Sequence, residues 1–327
     1  MERKLKYGIE VVIMCRERQN ETLRAIGAIK HVDFGVDTQI IVSDNANKPE
    51  NALTGLPSGI QHRLRDPSGS WNWHFNKIVS ELEYEWCLIT HDDDEILPIL
   101  GTIFQSQKDN PEVSVITGLS QIIDHKAGPI SNIGYEFRLD SAGIREQAGV
   151  VHFDLSQKLF DFGTLFPASA MIIRSSLLKS LAPLDTRFEW TADFGLSILI
   201  AHRKGVIFEG IKPVMNYHLH GNNSVFTDEA AGGIKSDLTV TRILMLDKFP
   251  ELYNTSRMNM LLKSVIISRI LLSAFGLNER KATLNKTINS SVVLRRGGPR
   301  YFLMKIPVHL GPLSGFVRAK MRRRIGI

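Results

Sequence analysis

Over the first hundred residues, short strand-like and helix-like segments alternate, and this alternation narrows the possible folds more than any other feature of the chain. Ile9 to Met14 (IEVVIM) is a β-branched run of strand length. Asn20 to Lys30 then places Leu23, Ala25, Ile26 and Ile29 at helical spacing. Gln39 to Ser43 (QIIVS) repeats the strand signal and stops at Asp44 and a turn-rich stretch, 45–51. A helix over Trp73 to Leu82 precedes a strand over Trp86 to Thr90, which runs into His91-Asp92-Asp93-Asp94-Glu95. The pattern predicts an α/β fold: a Rossmann-like, mostly parallel sheet sandwiched by helices, with ligands bound beyond the carboxyl ends of the strands.

Beyond Pro98 a helix to about Gln107 leads to a strand over Val113 to Thr117 and a less regular region from Gln121 to Asp161. Ala170 to Arg174 reads as a strand, Ser175 to Leu181 as a short helix and Asp193 to Lys204 as an apolar helix. Val206 to Glu209 and Val214 to His218 read as two short closing strands. From about Ser236 the pattern is mostly helical. The expected organisation is a catalytic domain over 1–235, with a nucleotide half to about 100 and an acceptor half after it. A basic, mostly helical appendage over 236–327 follows.

Charge separates these parts. Residues 280–327 hold twelve of the forty Lys and Arg and no Asp or Glu, which leaves 28 cations against 34 acids in 1–279, a net of −6. Tyr301, Phe302, Leu303, Ile306, Leu310 and Phe316 are interleaved with those cations, a pattern that fits an anionic membrane surface better than nucleic acid or plain solvent. Met258 to Gly276 is the longest apolar stretch, but Lys263 and Arg269 interrupt it, so no spanning segment is expected. The charged start, Met1 to Lys6, lacks the apolar region of a signal peptide. Cys15 and Cys87 lie at or within strand runs, as buried thiols in a reducing cytosol do.

The acidic run carries the chemistry. Consecutive carboxylates at a strand end repel one another, and a divalent ion, Mn²⁺ or Mg²⁺, is the natural offset. Such ions take one or two protein carboxylates and fill the rest of their shell with water and phosphate oxygens, which suits a nucleoside diphosphate leaving group. In an extended segment Asp92 and Asp94 point one way and Asp93 the other. The alternative is an acidic helix N-terminus ahead of Pro98. Asp193 opens an apolar helix, where it is either a dipole-favoured acid or a general base for an acceptor hydroxyl.

The order of these motifs resembles glycosyltransferase family 2, whose members have the GT-A fold. VVIMCRERQNETLRAI is similar to that family's first strand, loop and helix, and LITHDDDEILP to its metal-binding Asp-x-Asp segment. IIVSDNAN is similar to its second strand, which ends at the aspartate that contacts the nucleotide base, here Asp44. The stretch from Ser169 to Gly210, with Asp185 to Phe188 within it, resembles the acceptor side and puts the catalytic base at Asp193. YHLHGNNSV resembles a late segment whose histidine, His220, reaches the metal or the diphosphate. The chain departs from the family pattern at Met14, Cys15, Glu17 and Ala192.

The resemblance implies an inverting transfer from a nucleotide-sugar, UDP-sugar favoured, to a glycan or lipid-linked acceptor. The implied setting is bacterial polysaccharide or lipopolysaccharide assembly at the inner face of the cell membrane. It implies metal ligands Asp94, Asp92 and His220, a base contact at Asp44, and Asp193 as catalytic base. Asp92, Asp93, Arg65 and Asn76 are further candidates for contacts to the donor. Arg187 is a second candidate for the diphosphate, Asn72 an alternative to Asn76, and Trp71 and Trp73 candidates for stacking, each weighed against a plain structural role. His218 is weighed beside His220 for this role, against the structural role that a lone strand histidine commonly has. Loops at 45–80 and 120–170 are expected to shape the pocket. Nucleotidyl transfer and an inactive membrane scaffold are the rival readings. No glycine-rich phosphate loop follows the first strand, and no G-x-G-x-x-G follows any expected strand, which argues against nucleotidyl transfer and a dehydrogenase.

Overall fold

The computed structural model describes residues 4–46, 51–66, 71–124, 128–129, 168–184, 191–201, 205–219, 228–295 and 303–304. The chain divides into two compact units. One comprises 1–184 and 196–220, the other 185–195 and 221–327.

The first unit is built on a sheet of nine described strands. These are β1 (Lys6–Cys15), β2 (Thr38–Asp44), β3 (Ile60–Leu64), β4 (Tyr84–His91), β5 (Asp94–Ile96), β6 (Val115–Asp124), β7 (Gly128–Pro129), β8 (Ile172–Arg174) and β9 (Val206–Leu219). Their order is β3-β2-β1-β4-β8-β6-β9-β5, with β7 against β6. β1, β2, β3 and β4 run parallel; β8 is antiparallel to both β4 and β6, and β9 runs parallel to β6. Most of the sheet therefore shares one direction. Helices α1 (Gln19–Lys30), α2 (Trp71–Glu81), α3 (Pro98–Gln107) and α4 (Ser175–Leu181) accompany it, and α5 (Ala192–Ala201) starts in the second unit and ends in the first.

Strand β1 is apolar from Gly8 onward but for Glu10 because it is covered on both faces: Gly8 to Cys15 are all buried. Ile9, Val11, Ile13 and Cys15 join one core with Ala25, Ile26 and Ile29 of α1 and Leu100 and Phe104 of α3. Trp86 closes that core edge-on against Phe104, with ring centroids 5.4 Å apart.

Parallel register places the functional tips at one level. Cys15 pairs with Asp44, Met14 with His91, and Asp44 with Leu64. The ladder then continues into the loops through Asn45 N–H to Cys15 O, Arg65 N–H to Asp44 O and Asp92 N–H to Met14 O.

Several strands differ from expectation: β5 and β7 stand where no strand is expected, and β6 continues to Asp124 past the strand expected over Val113 to Thr117. The edge strand β3 falls in a stretch read as loop, because its sequence, IQHRL, is polar and half exposed. The two short closing strands at 206–209 and 214–218 are a single strand, β9. Its register slips against β6 near Gly118, and the Glu209 carboxylate accepts the N–H groups of Ile211 and Lys212 at 2.8 and 3.0 Å, so the irregular stretch keeps its hydrogen bonds. Gly118 permits the approach, since a Cβ there would lie 2.6 Å from Val214 Cγ1.

The second unit is helical over its described residues: α6 (Asp228–Lys248), α7 (Thr255–Phe275), α8 (Asn278–Ser290) and α9 (Val292–Arg295). Asn254 caps α7 by accepting from Arg257 N–H at 2.8 Å, and Gly276 ends it in the left-handed conformation at φ 72°. Thr239 of α6 bonds the Ser264 and Ser268 hydroxyls of α7 at 2.7 and 3.0 Å, all three buried. Helix α7 is long and apolar enough to cross a membrane by length and composition alone, with a mean hydropathy of 1.5 and half of that window buried within the protein. The basic tail from 305 onward lies outside the described residues.

Candidate active site

Three carboxylates meet where β4 gives way to β5. His91 is the last residue of β4, Asp92 and Asp93 form a turn, and Asp94 begins β5. The turn breaks the two-residue alternation of an extended chain, so the expected grouping of Asp92 with Asp94 gives way to another. Ligand atoms of His91, Asp93 and Asp94 lie within 4.8 Å of one another, and Asp92 falls outside that group.

Asp92 is held from the loop after β1: its carboxylate accepts from Arg16 N–H and from Arg18 Nη1, both at 3.2 Å. The same Arg18 nitrogen donates to Asp93 Oδ2 at 2.5 Å. Glu95 is drawn away from the turn by Arg24 at 2.8 Å and His218 at 3.2 Å. That pairing gives His218 a structural role in the strand. His220 lies outside the described residues.

Asp94 is 1% exposed, and neither of its oxygens has a hydrogen-bond partner of ordinary geometry among the described residues. Burial first, and then the neighbouring Asp93 charge, push its carboxyl well above the usual range, while the nearby Ser169 hydroxyl pulls weakly the other way. Asp92 is pushed up to about 7, again chiefly by burial, with Arg18 opposing. A buried carboxylate without donors is costly unless it is protonated or meets a cation.

His91 flanks this carboxylate, with Nδ1 3.8 Å from Asp94 Oδ2 and 3.3 Å from the Ser169 hydroxyl. Trp71 Nε1 lies 3.3 Å from His91 Nε2. An indole N–H only donates, so Nε2 must accept and a neutral ring carries its proton on Nδ1, on the side of Asp94. In that tautomer His91 is a donor toward the acidic turn, and Asp93 and Asp94 remain as the oxygen ligands that a hard divalent ion prefers. The donor set fits Mn²⁺ or Mg²⁺. Trp71, stacked on Phe75 with centroids 5.0 Å apart, walls a recess of about 10 Å³ beside His91.

The tip of β2 is built differently. Asp44 is fully buried, and its Oδ2 accepts from Leu53 N–H at 2.9 Å and pairs with His62 Nε2 at 3.1 Å. Its Oδ1 has no partner among the described residues. The Cys15 thiol beside it is pushed up, by burial first and then by Asp44 and Asp92, and stays neutral. Two loops close around this point: Gln19 and Thr54 exchange a reciprocal pair of bonds at 2.8 and 3.1 Å, and Asn51 donates to Glu17 at 2.9 Å. Glu17 has φ 58°, and among the described residues no other non-glycine has positive φ.

Arg65 and Asn76 are engaged within the scaffold. Arg65 donates from Nε to Ser43 Oγ at 2.8 Å and from both terminal nitrogens to Glu81, at 3.0 and 2.7 Å. It lines an open basin of about 670 Å³ with Arg63, Glu81 and Lys179, none of them in the acidic turn. Ser43 Oγ also meets His74 Nε2 at 2.8 Å, and burial followed by Arg65 lowers that histidine to about 4. Asn76 grips the backbone of Leu184 with both halves of its amide, at 2.7 and 3.2 Å. Asn72 is buried, and Trp73 is 39% exposed.

Asp193 lies in the first turn of α5, on the part of that helix that belongs to the second unit, and its side chain is outside the described residues, as is Arg187. Sequence reasoning passed over Arg18, His91 and His62. Arg18 stands in a loop with no motif of its own, and all three gain meaning only from the partners that folding supplies.

No protein-family model matches the sequence, and no curated protein matches it. Among solved structures the chain is similar to S. aureus TarS. Residues 1–349 of TarS in complex with UDP-GlcNAc align with a TM-score of 0.55 at 14% identity, over 97% of this chain and 90% of that one. The same fragment in complex with UDP aligns at 0.51 and 14% identity, over 97% and 89%. Against a longer TarS structure the values are 0.53 and 12%, over 97% of this chain and 54% of that one, so the chain spans about half of it. At such identity the likeness is one of fold. It is the GT-A arrangement, a Rossmann-like, mostly parallel sheet flanked by helices.

Proposed function

We propose that this chain is an inverting, metal-dependent glycosyltransferase of the family 2 type. It moves a sugar from a nucleoside diphosphate, UDP favoured, to a hydroxyl of a glycan or lipid-linked acceptor. One observation carries the reading: Asp94, buried and without hydrogen-bond donors among the described residues, sits beside Asp93 at the carboxyl ends of the parallel strands. Support for the donor class comes from the fold shared with TarS, which has been solved with UDP-GlcNAc and with UDP.

In this reading Asp94 and Asp93 are the nearest ligands of a divalent ion, and Asp92 and His220 are the further acid and imidazole available to it. When bound, the ion stabilises charge on the departing diphosphate. Asp44 offers its open oxygen to an N–H of the base. Arg65 and Asn76 serve the donor site by holding its wall, through Ser43 and Leu184. Asp193 takes the proton of the acceptor hydroxyl as that oxygen bonds to the anomeric carbon and the bond from that carbon to the diphosphate oxygen breaks, which inverts the configuration. The twelve cations of 280–327 dock the enzyme on an anionic membrane from the cytoplasmic side, where a lipid-linked acceptor resides.

Transfer from a panel of sugar nucleotides, with Mn²⁺ and with chelator, tests the reading. Near-normal turnover by Asp193→Asn removes the base role, and UDP bound equally well in chelator removes the metal role. Absence of both hydrolysis and transfer with every donor favours the inactive scaffold. Failure to sediment with phosphatidylserine vesicles removes the membrane role.

A further inference from the structure

The loop after β1 places a single positive charge inside the acidic turn. Arg18 Nη1 bridges Asp92 Oδ1 at 3.2 Å and Asp93 Oδ2 at 2.5 Å, and its side chain is 32% exposed. One face of the guanidinium therefore reaches water while the other holds two carboxylates. Asp94, next along the turn, is buried and has no hydrogen-bond donor among the described residues, which marks the turn as unfinished without a further cation. Arg18 does not complete it, because its hydrogen bonds go to Asp92 and Asp93.

A cation at this place acts with opposite sign on the two forms in which a divalent ion arrives. The free ion carries two positive charges and is repelled. A nucleoside diphosphate carries about three negative charges near neutral pH, so its complex with one divalent ion keeps about one negative charge and is attracted. Both effects act at short range in a partly desolvated site, where salt screens them weakly.

We propose that Arg18 is a charge filter, a specificity-determining residue that weakens binding of the free divalent ion to the acidic turn and strengthens binding of the ion's complex with a nucleoside diphosphate. The inference rests on the ion site of the proposed function and goes beyond it by assigning selectivity to a residue outside the acidic run. Its consequence is that the protein takes up metal and donor together rather than filling first with metal.

Isothermal titration of the full chain with MnCl₂ alone, and then with UDP at saturating Mn²⁺, tests this on wild type, Arg18→Gln and Arg18→Lys. Thermal denaturation checks that all three are folded. In Arg18→Gln the expected changes have opposite signs: free Mn²⁺ binds on the order of tenfold more tightly, and UDP with Mn²⁺ on the order of tenfold more weakly. Arg18→Lys, which keeps the charge, should stay near wild type in both titrations. If Arg18→Gln weakens both ligands or changes neither, Arg18 only shapes the loop and the filter is overturned while the ion site stands. If neither wild type nor Arg18→Gln binds Mn²⁺, the ion site falls and the filter with it.

Discussion

At the tip of β2, Asp44 is fully buried, and one of its oxygens meets both Leu53 N–H and His62. Just past the tip of β4, Asp94 is almost as completely buried, and neither of its oxygens has a hydrogen-bond partner among the described residues. Both strands flank β1 and end at one level of the sheet. The β2 tip is backed by a closed chain of partners, Glu81 to Arg65 to Ser43 to His74. The β4 tip shares one arginine between two acids and leaves the third to itself. A carboxylate whose donors are already in place is a fixed recognition element, whereas one stripped of water and donors is poised for a cation. Among the described residues, one protein thus places a carboxylate with one oxygen held and one with neither held on either side of the same strand.

Asp94→Asn offers the largest break in that contrast. If the β4 tip is unfinished because it awaits a cation, sugar transfer should fall by about 10³-fold while the thermal midpoint holds or rises, since a strained buried charge has been removed. Substantial remaining transfer in a coupled assay would sink the ion role. At the β2 tip the opposite pattern is expected. Arg65→Met leaves Glu81 only Arg63 and Lys77 and loosens Ser43, and urea denaturation should show a loss of about 2 kcal/mol. A stability equal to wild type would show that the β2 network is decoration.

The pH dependence of stability should separate the two tips next. His74 is held at about 4, below its ordinary 6.5, so between those values the unfolded chain binds a proton that the folded chain refuses, and its contribution is lost as the pH falls. Asp92 is held at about 7, above its ordinary 3.8, so over that window the folded chain keeps the proton and stability falls as the pH rises. Relative to wild type, His74→Gln should therefore be less destabilised by acid, and Asp92→Asn more so, when unfolding is compared at pH 4.5 and 7. Identical slopes in all three proteins would contradict the assignment. Asn76→Ala, which frees Leu184 from both tips, should show the smallest effect: about 1 kcal/mol by denaturation.

The strands β1, β2 and β4 and the helix α4 stand in the sequence because burial on both faces writes unbroken apolar runs and helical spacing into the chain. β3 was hidden because an edge strand with one half-solvated side carries a polar sequence, and the continuity of β9 was hidden because the Glu209 side chain, rather than a pattern, bridges its irregular middle. At the site, the acidic run and Asp44 were legible, since charged residues at the ends of apolar strands are conspicuous. Their partners were not.

The alternation of β1, α1, β2, α2 and β4, the mostly parallel sheet and the placing of Asp44 and of Asp92 to Asp94 at strand ends were determined by the sequence alone, because local periodicity and the burial of apolar runs need no knowledge of distant contacts. The tertiary structure alone decided which acid lacks a donor, that Arg18 rather than a neighbour along the strand balances Asp92 and Asp93, and that Arg65 and Asn76 brace the wall. The physical reason is that hydrogen-bond satisfaction and desolvation belong to pairs of atoms brought together across tens of residues, and a one-dimensional pattern contains the atoms but not their distances.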